Sequence, residues 1–118
     1  MIGIDIVDVH ELEKKLSRKT GRRFLENTFT DTEISCAGKN TAKLASAFAA
    51  KEAAFKAFGT GWLEGKEVEL LRHPDTGIPH IRLHGEMEKL AKKRKVRETL
   101  VSVSWTGCCA VAVVLLTS

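Results

Sequence analysis

TAKLASAFAAKEAAFKAFGTG, residues 41–61, is the stretch that decides the fold of this chain. Alanine, the strongest helix former, recurs along most of it, whereas the closing glycines at positions 59 and 61 favour a helix end. The stretch therefore predicts one long helix, Thr41 to Phe58, the strongest helical signal in the chain.

Shorter elements surround this helix on both sides. Residues 2–9 are rich in β-branched side chains and predict a buried first strand. Short helices are predicted over 11–19, 22–27 and 31–37. Gly21 is expected to end the first of them, and a capping box that joins Thr30 to Glu33 indicates the start of the third. Hairpin strands at 66–72 and 78–84, a helix at 85–95 and strands at 100–105 and 110–116 follow. This order predicts one α+β domain over residues 1–118, with a largely antiparallel sheet packed against one long and several short helices.

Composition is that of an ordinary globular protein. The chain has 118 residues, 43% of them hydrophobic and 29% charged, which is too apolar for a disordered chain. Its net charge of +4 and sequence pI of about 9.1 favour an anionic partner, whether nucleic acid, a phosphorylated cofactor or an acidic protein. Charge alone does not choose among these three.

Cysteine usage and hydropathy point to the cytoplasm. Three cysteines cannot form a disulfide framework, and two of them, Cys108 and Cys109, are adjacent. The N-terminus lacks the basic segment and long apolar core of a signal peptide, and the apolar run at 108–116 has about half the length that spans a bilayer. We therefore expect a cytoplasmic protein with reduced thiols and no membrane partner.

A carboxylate interrupts the apolar first strand. Asp5 lies among β-branched residues, and Gly3 allows another group to approach the backbone closely. A carboxylate in such surroundings needs a hydrogen bond, an ion pair or a metal. Either Asp5 satisfies a neighbouring loop near a strand end, or it belongs to a functional site.

A second anomaly lies in the long helix. Leu44, Phe48, Glu52 and Lys56 follow one another at intervals of four and form one row on its surface. Because the row begins apolar and ends charged, its charged end is expected to border a cleft. The alternative is a solvated ion pair between Glu52 and Lys56. Two carboxylates with adjacent lysines suit a magnesium-bound pyrophosphate, since Mg²⁺ takes one or two carboxylates and leaves other positions to water and phosphate.

Several segments together resemble a known family. GIDIV at 3–7, RFLE at 23–26, FAAKEAAFKAFGTG at 48–61 and SVS at 102–104 are similar, in this order, to the holo-acyl-carrier-protein synthases. The resemblance covers nearly the whole chain, and the segment at 48–61 is the most specific part of it.

The resemblance implies a transferase that moves the 4′-phosphopantetheine group of coenzyme A onto a serine of an apo acyl carrier protein, in fatty-acid or polyketide synthesis, and releases 3′,5′-ADP. Asp5 and Glu52 would ligate Mg²⁺, and the serine proton would go to Glu52 or to a metal-bound water. Lys56 would offset charge on the transferring phosphate, with a contribution from Lys51. The remaining expected coenzyme A contacts are Gly59, Thr60 and Gly61.

The resemblance also implies partners. An acidic carrier protein would dock on Arg18, Arg22 and Arg23, although a plain solvated face is the alternative for Arg18 and Arg22. Family members of this size form homotrimers with active sites between subunits, and the apolar strands near the C-terminus would be core or subunit interface.

Three positions depart from the family pattern. Ala47 replaces an arginine that commonly precedes the phenylalanine of FAAKEA, and Glu11 replaces an arginine in the first helix. The last hairpin reads WTGCC at 105–109, where a His-Thr pair is usual. We therefore expect altered contacts with the nucleotide of coenzyme A, in which Trp105 stacks on adenine and Thr106 lies beside it.

Two other readings remain open. The altered last hairpin is compatible with a degenerate homologue that binds the carrier protein without catalysis. A small basic nucleic-acid-binding module is disfavoured, because the chain has no tyrosine and only 6% aromatic residues to stack on bases.

Overall fold

The structure is a computed structural model that describes all residues 1–118. The chain forms five helices and five strands, in agreement with the predicted α+β class. In order they are β1 (Ile2–Asp8), α1 (Val9–Ser17), α2 (Gly21–Thr28), α3 (Asp31–Ala37), α4 (Thr41–Phe58), a 3₁₀ turn (Gly65–Glu67), β2 (Val68–Arg72), β3 (Pro79–Leu83), α5 (Gly85–Lys93), β4 (Glu98–Trp105) and β5 (Cys109–Thr117). None of the helices has the length and apolar character needed to cross a membrane.

The strands form two antiparallel sheets rather than one. The larger sheet has the order β1-β5-β4, and β2 and β3 form a separate hairpin. In the larger sheet Asp5 lies opposite Ala112, which in turn lies opposite Val103. Antiparallel pairing was predicted correctly, but the separation of the hairpin from the other strands was not.

Helix α4 packs directly on one face of the larger sheet. Its alanines are small enough for close approach, and Ala49, Ala50, Ala53 and Ala54 are fully buried. At Gly3 the approach is closest, because a Cβ there would lie 2.0 Å from the carbonyl oxygen of Ala53. The expectation that Gly3 admits a close neighbour is confirmed, and the neighbour is the backbone of α4.

The opposite face of β1 is exposed, so the prediction of a fully buried first strand is wrong for the single chain. Ile2, Ile4 and Ile6 are 67%, 59% and 68% exposed. Strand alternation turns these three side chains away from α4, and no other element of the chain covers them. Leu100 and Leu115 of the neighbouring strands extend the same apolar face.

Hydrogen-bonded caps set the helix boundaries. The predicted capping box is present, since Glu33 N donates to the Thr30 hydroxyl and the Glu33 carboxylate accepts from Thr30 N. Helix α1 starts earlier than predicted because Asp8 caps it through Glu11 N. Gly21 does not simply break a helix: it begins α2 and packs against the backbone of Leu16.

Candidate active site

Asp5 and Lys56 meet across 51 residues of sequence. Asp5 points from β1 towards α4, and its side chain is only 16% exposed. Lys56 Nζ donates to the Asp5 carboxylate at 2.9 Å and to the carbonyl oxygen of Ile4 at 3.1 Å. The alternative in which Asp5 caps a neighbouring loop is not what the structure shows.

Glu52 lies one helical turn before Lys56 and remains unpaired. It is half-buried and forms no ion pair, so the alternative of a solvated Glu52–Lys56 pair is also not observed. Burial and then the Asp5 carboxylate raise the pKa of Glu52 above its ordinary value, while Lys56 and Lys15 oppose that rise. The hydrogen bond and charge of Asp5 in turn raise the pKa of Lys56. Two carboxylates and one lysine therefore form a coupled group.

This group lines an open cleft of about 590 Å³ between α1 and α4. The α4 side carries Phe48, Glu52 and Lys56, and the α1 side carries charged side chains, among them Lys15 and Arg18. Acidic and basic side chains thus share the lining of the cleft, which suits a metal-bound phosphate ester.

The donor set of the cleft fits Mg²⁺. Asp5 and Glu52 offer only carboxylate oxygens, which hard cations prefer, and their mutual repulsion favours a cation between them. No group of three or more metal-ligating side chains occurs in the structure. A site with two carboxylates suits a cation that keeps water and takes phosphate oxygens as its remaining ligands.

Lys51 does not reach this cleft, and its predicted contact with coenzyme A is wrong for this structure. Its ammonium is fully buried and bonds to both oxygens of Glu33, at 2.7 and 2.9 Å. It also donates to the carbonyl oxygens of Gly65 and Val68. Burial lowers the pKa of Lys51, and the charge of Glu33 opposes that fall. With every donor engaged in the interior, Lys51 is a structural residue.

The loop after α4 has open space beside its glycines, but most of its backbone amides already donate hydrogen bonds within the chain. Gly59 and Gly61 have φ of +73° and +71°, and a Cβ at either position would meet nothing. The amides of Gly59 and Thr60 close the end of α4 by donating to its last carbonyl groups. Of the three expected backbone donors, only the amide of Gly61 is left free for a ligand.

The three arginines expected to dock a partner lie at different places on the surface. Arg18 lines the cleft. Arg22 pairs with Glu26 at 3.0 Å and borders a different groove, between α2, α3 and the start of α4. Arg23 is exposed on α2 without a recorded partner.

Trp105 and Thr106 lie outside the cleft of their own chain. Trp105 ends β4 and is half-buried, and the guanidinium carbon of Arg72 lies 5.1 Å from its ring centroid. The Thr106 hydroxyl accepts from the amides of Cys108 and Cys109 and thereby holds the tight turn. Neither residue is brought to Asp5 or Glu52 within one chain.

Lys15 is a cleft residue that sequence reasoning missed. Its ammonium lies 4.5 Å from the Phe24 ring centroid, and it lines the cleft opposite Glu52. Its spacing of four from Glu11 places both on one face of α1, so helical periodicity carried the signal. It was overlooked because a lysine on a short polar helix is usually solvated.

Comparison with known proteins gives consistent results. Residues 1–109 match the family model of the 4′-phosphopantetheinyl transferase superfamily. The holo-[acyl-carrier-protein] synthase of Desulfovibrio desulfuricans is 40% identical over 98% of this chain and 94% of its own length. That of Geobacter sulfurreducens is 42% identical over 97% and 94%. Among solved structures, the Helicobacter pylori holo-[acyl-carrier-protein] synthase in complex with coenzyme A covers 99% of this chain and 100% of its own, with a TM-score of 0.88 at 29% identity.

Proposed function

Because the chain belongs to the 4′-phosphopantetheinyl transferase superfamily, we propose that it transfers the phosphopantetheine group of coenzyme A to a serine of an apo acyl carrier protein, in a magnesium-dependent reaction. The observation that carries this proposal is the convergence of Asp5, Glu52 and Lys56 in one open cleft. These are the groups that a charged phosphate ester and its cation require.

In the proposed reaction, the serine oxygen forms a bond to the phosphorus that carries pantetheine. The bond from that phosphorus to the bridging oxygen of the pyrophosphate breaks, and 3′,5′-ADP leaves with the bridging oxygen. Glu52, half-buried on the wall of the cleft, would accept the serine proton. Lys56 is held beside the acids by Asp5 and offsets negative charge on the phosphate.

Asp5 and Glu52 are the residues that would hold the magnesium ion. When bound, Mg²⁺ supplies positive charge to the phosphate oxygens of the substrate. Without it, the two carboxylates repel each other and would also repel the pyrophosphate.

The basic side of the cleft is the proposed docking site for the carrier protein. Arg18 and Lys15 face the cleft from α1, and Arg23 is exposed on α2 nearby in sequence. Attraction between an acidic carrier and these side chains would speed encounter more than it strengthens the bound complex. Glu11 lies on the same wall and would repel a carrier that presents an acid at that point.

We also propose that the working form is a homotrimer whose contacts use the outer face of the larger sheet. Isoleucines of β1 and leucines of β4 and β5 expose a continuous apolar surface that water would otherwise cover. Assembly would also explain how Trp105 and Thr106 serve a cleft that they do not reach in their own chain, by lying against that of a neighbour.

A mass measurement tests the proposed activity. Purified protein is incubated with apo carrier protein, coenzyme A and Mg²⁺, and the carrier is weighed. We expect a gain of one phosphopantetheine group, dependent on Mg²⁺, and slowed about 10²- to 10³-fold by Glu52→Gln, as for loss of one preorganised electrostatic contact. Glu86→Gln, an exposed acid of α5, is the matched control and should leave the rate unchanged.

The same measurement identifies the alternative. If the wild-type protein binds the carrier but adds no mass at any Mg²⁺ concentration, the chain is a degenerate binding homologue. The altered hairpin at residues 105–109 is the feature that would explain such a result.

A further inference from the structure

Trp62 is the only exposed aromatic side chain of the protein. It is 41% exposed, whereas every phenylalanine and Trp105 is buried or half-buried. The residue lies just after the Gly59–Thr60–Gly61 loop, beyond the end of α4. An exposed indole is uncommon on a surface that only has to face water, because the residue loses its large favourable burial energy there.

The indole is held rigidly against α4. Its ring centroid lies 5.3 Å from that of Phe48 and 5.1 Å from that of Phe55, both in edge-to-face geometry. Gly65 allows this placement, since a Cβ at that position would lie 2.9 Å from the indole. Trp62 is therefore fixed before any ligand arrives, so a contact with it costs little ordering.

Helix geometry places this ring beside the cleft. Phe48 and Phe55 are two turns apart on one face of α4, and Glu52 is four residues after Phe48. Neighbours at that spacing have Cβ atoms about 6 Å apart. Phe48 itself lines the cleft, and Trp62 packs edge-to-face on its ring, so the indole lies one side chain away from the cleft.

We propose that Trp62 binds the pantetheine arm of coenzyme A, immediately beyond the phosphate held at Glu52. This inference rests on the proposed transferase function. In the substrate, the first carbons after the phosphate ester include a quaternary carbon with two methyl groups, an apolar unit within a few bonds of the charge. A rigid, exposed indole packed on the cleft residue Phe48 is the surface that such a unit fits.

The charges of the cleft favour this direction for the arm. Its α1 wall carries Glu11 and Lys15, with Arg18 just beyond the helix end, and these charges suit a charged protein partner. On the α4 wall, Phe48 lies one turn before Glu52, and the exposed indole of Trp62 packs on its ring. The arm therefore leaves along α4, and the carrier serine enters from the side of α1.

Steady-state kinetics tests the contact. In Trp62→Ala we expect the KM for coenzyme A to rise about tenfold, the loss typical of one apolar aromatic contact. The inhibition constant of 3′,5′-ADP, which has no pantetheine, should change by less than about twofold. Trp62→Phe should recover most of the coenzyme A affinity, and Ile78→Ala, an exposed apolar residue in the β2–β3 turn, should change neither constant.

Fluorescence gives an independent readout of binding. In a Trp105→Phe background Trp62 is the only tryptophan, and 4′-phosphopantetheine should change its emission whereas 3′,5′-ADP should not. The inference is overturned if Trp62→Ala alters the coenzyme A and 3′,5′-ADP constants equally, alters neither, or acts by dissociating the assembly. A wild-type protein without transferase activity would instead contradict the proposed function itself.

Discussion

Lys51 and Glu52 are consecutive charged residues of α4, yet they serve opposite purposes. Lys51 is fully buried and shares its ammonium with Glu33 and two carbonyl groups, so its charge is satisfied within the interior. Glu52 is half-buried on the cleft, has no ion-pair partner and has a raised pKa. One side of the helix uses charge to hold elements together, and the other keeps charge unsatisfied for a ligand.

This difference shows that residue type does not separate structural from functional charges. A charge is structural when ion pairs and hydrogen bonds within the chain satisfy it, and it is available to a ligand when they do not. The interior group links three elements, because Glu33 of α3 also accepts from the amide of Leu70 in β2. Removing any member leaves a buried partner without compensation, which is expensive. The cleft group is strained by repulsion between two carboxylates, and a bound cation would relieve that strain.

Replacing Lys51 should produce the largest loss of stability. Lys51→Met leaves the Glu33 carboxylate and two carbonyl groups buried without their donor, and we expect a loss of about 3–5 kcal/mol in the free energy of unfolding. Urea denaturation measures this loss. A loss below about 1 kcal/mol would mean that the Lys51–Glu33 pair contributes no more than a surface ion pair, so that Lys51 has no special structural role.

Replacing Glu52 should affect stability in the opposite direction. A carboxyl whose pKa is raised on folding binds its proton more tightly in the folded chain, so its ionisation destabilises the fold as pH rises from the ordinary pKa through the raised value. Above the raised pKa that cost is fully present, and Glu52→Gln removes it. We expect a gain of at most about 1 kcal/mol without divalent cations, because solvent screens a half-exposed group.

Thermal unfolding with and without Mg²⁺ checks this prediction. Mg²⁺ together with coenzyme A should raise the Tm of the wild-type protein by mass action and leave that of Glu52→Gln nearly unchanged. Loss of stability in Glu52→Gln without cations would contradict this prediction, because it would show that Glu52 stabilises the fold as Lys51 does. The wild-type rate should also fall at acidic pH, because a protonated Glu52 no longer attracts a cation.

Glu69 should show the smallest effect and extends the comparison to pH. Burial raises the pKa of Glu69, but hydrogen bonds from Thr30 and His84 outweigh burial and bring this pKa below its ordinary value. Such a group stabilises the fold above the ordinary pKa, and this contribution is lost as pH falls through the lowered value.

The variant Glu69→Gln isolates this contribution. It should lower the free energy of unfolding by about 0.5 kcal/mol at pH 7, and by less as the pH approaches 3. Urea titrations at several pH values measure the difference. A loss that is the same at both ends of that range would show that shape, rather than charge, matters at Glu69.

Much of the fold followed from local signals in the sequence. Helix α4 has the predicted bounds because alanine propensity and the glycine at position 59 act within the helix itself. The capping box at Thr30 is likewise a local device. Gly3 was singled out correctly, since a glycine in an apolar strand is an anomaly visible without a structure. Asp5 was singled out on the same ground, and its role as a metal ligand stays a prediction.

What the sequence did not reveal depends on which face of an element meets which neighbour. Lys51 and Glu52 look equivalent in an alanine-rich helix, and only the packing of α3 and β2 decides that one is enclosed. The apolar pattern of β1 indicates burial but does not say whether the covering surface lies in the same chain. Trp62 gave no signal, because its position depends on a loop that folds back over Gly65.

The most direct test of the central claim is a count of bound divalent cations. Mn²⁺, used as a paramagnetic substitute for Mg²⁺, is titrated into the protein with coenzyme A present and followed by electron paramagnetic resonance. We predict one bound Mn²⁺ per chain in the wild type and in Glu86→Gln, with binding lost in Asp5→Asn and in Glu52→Gln. Undiminished Mn²⁺ binding in both of the latter variants would contradict the account, because the two carboxylates would then not hold the cation.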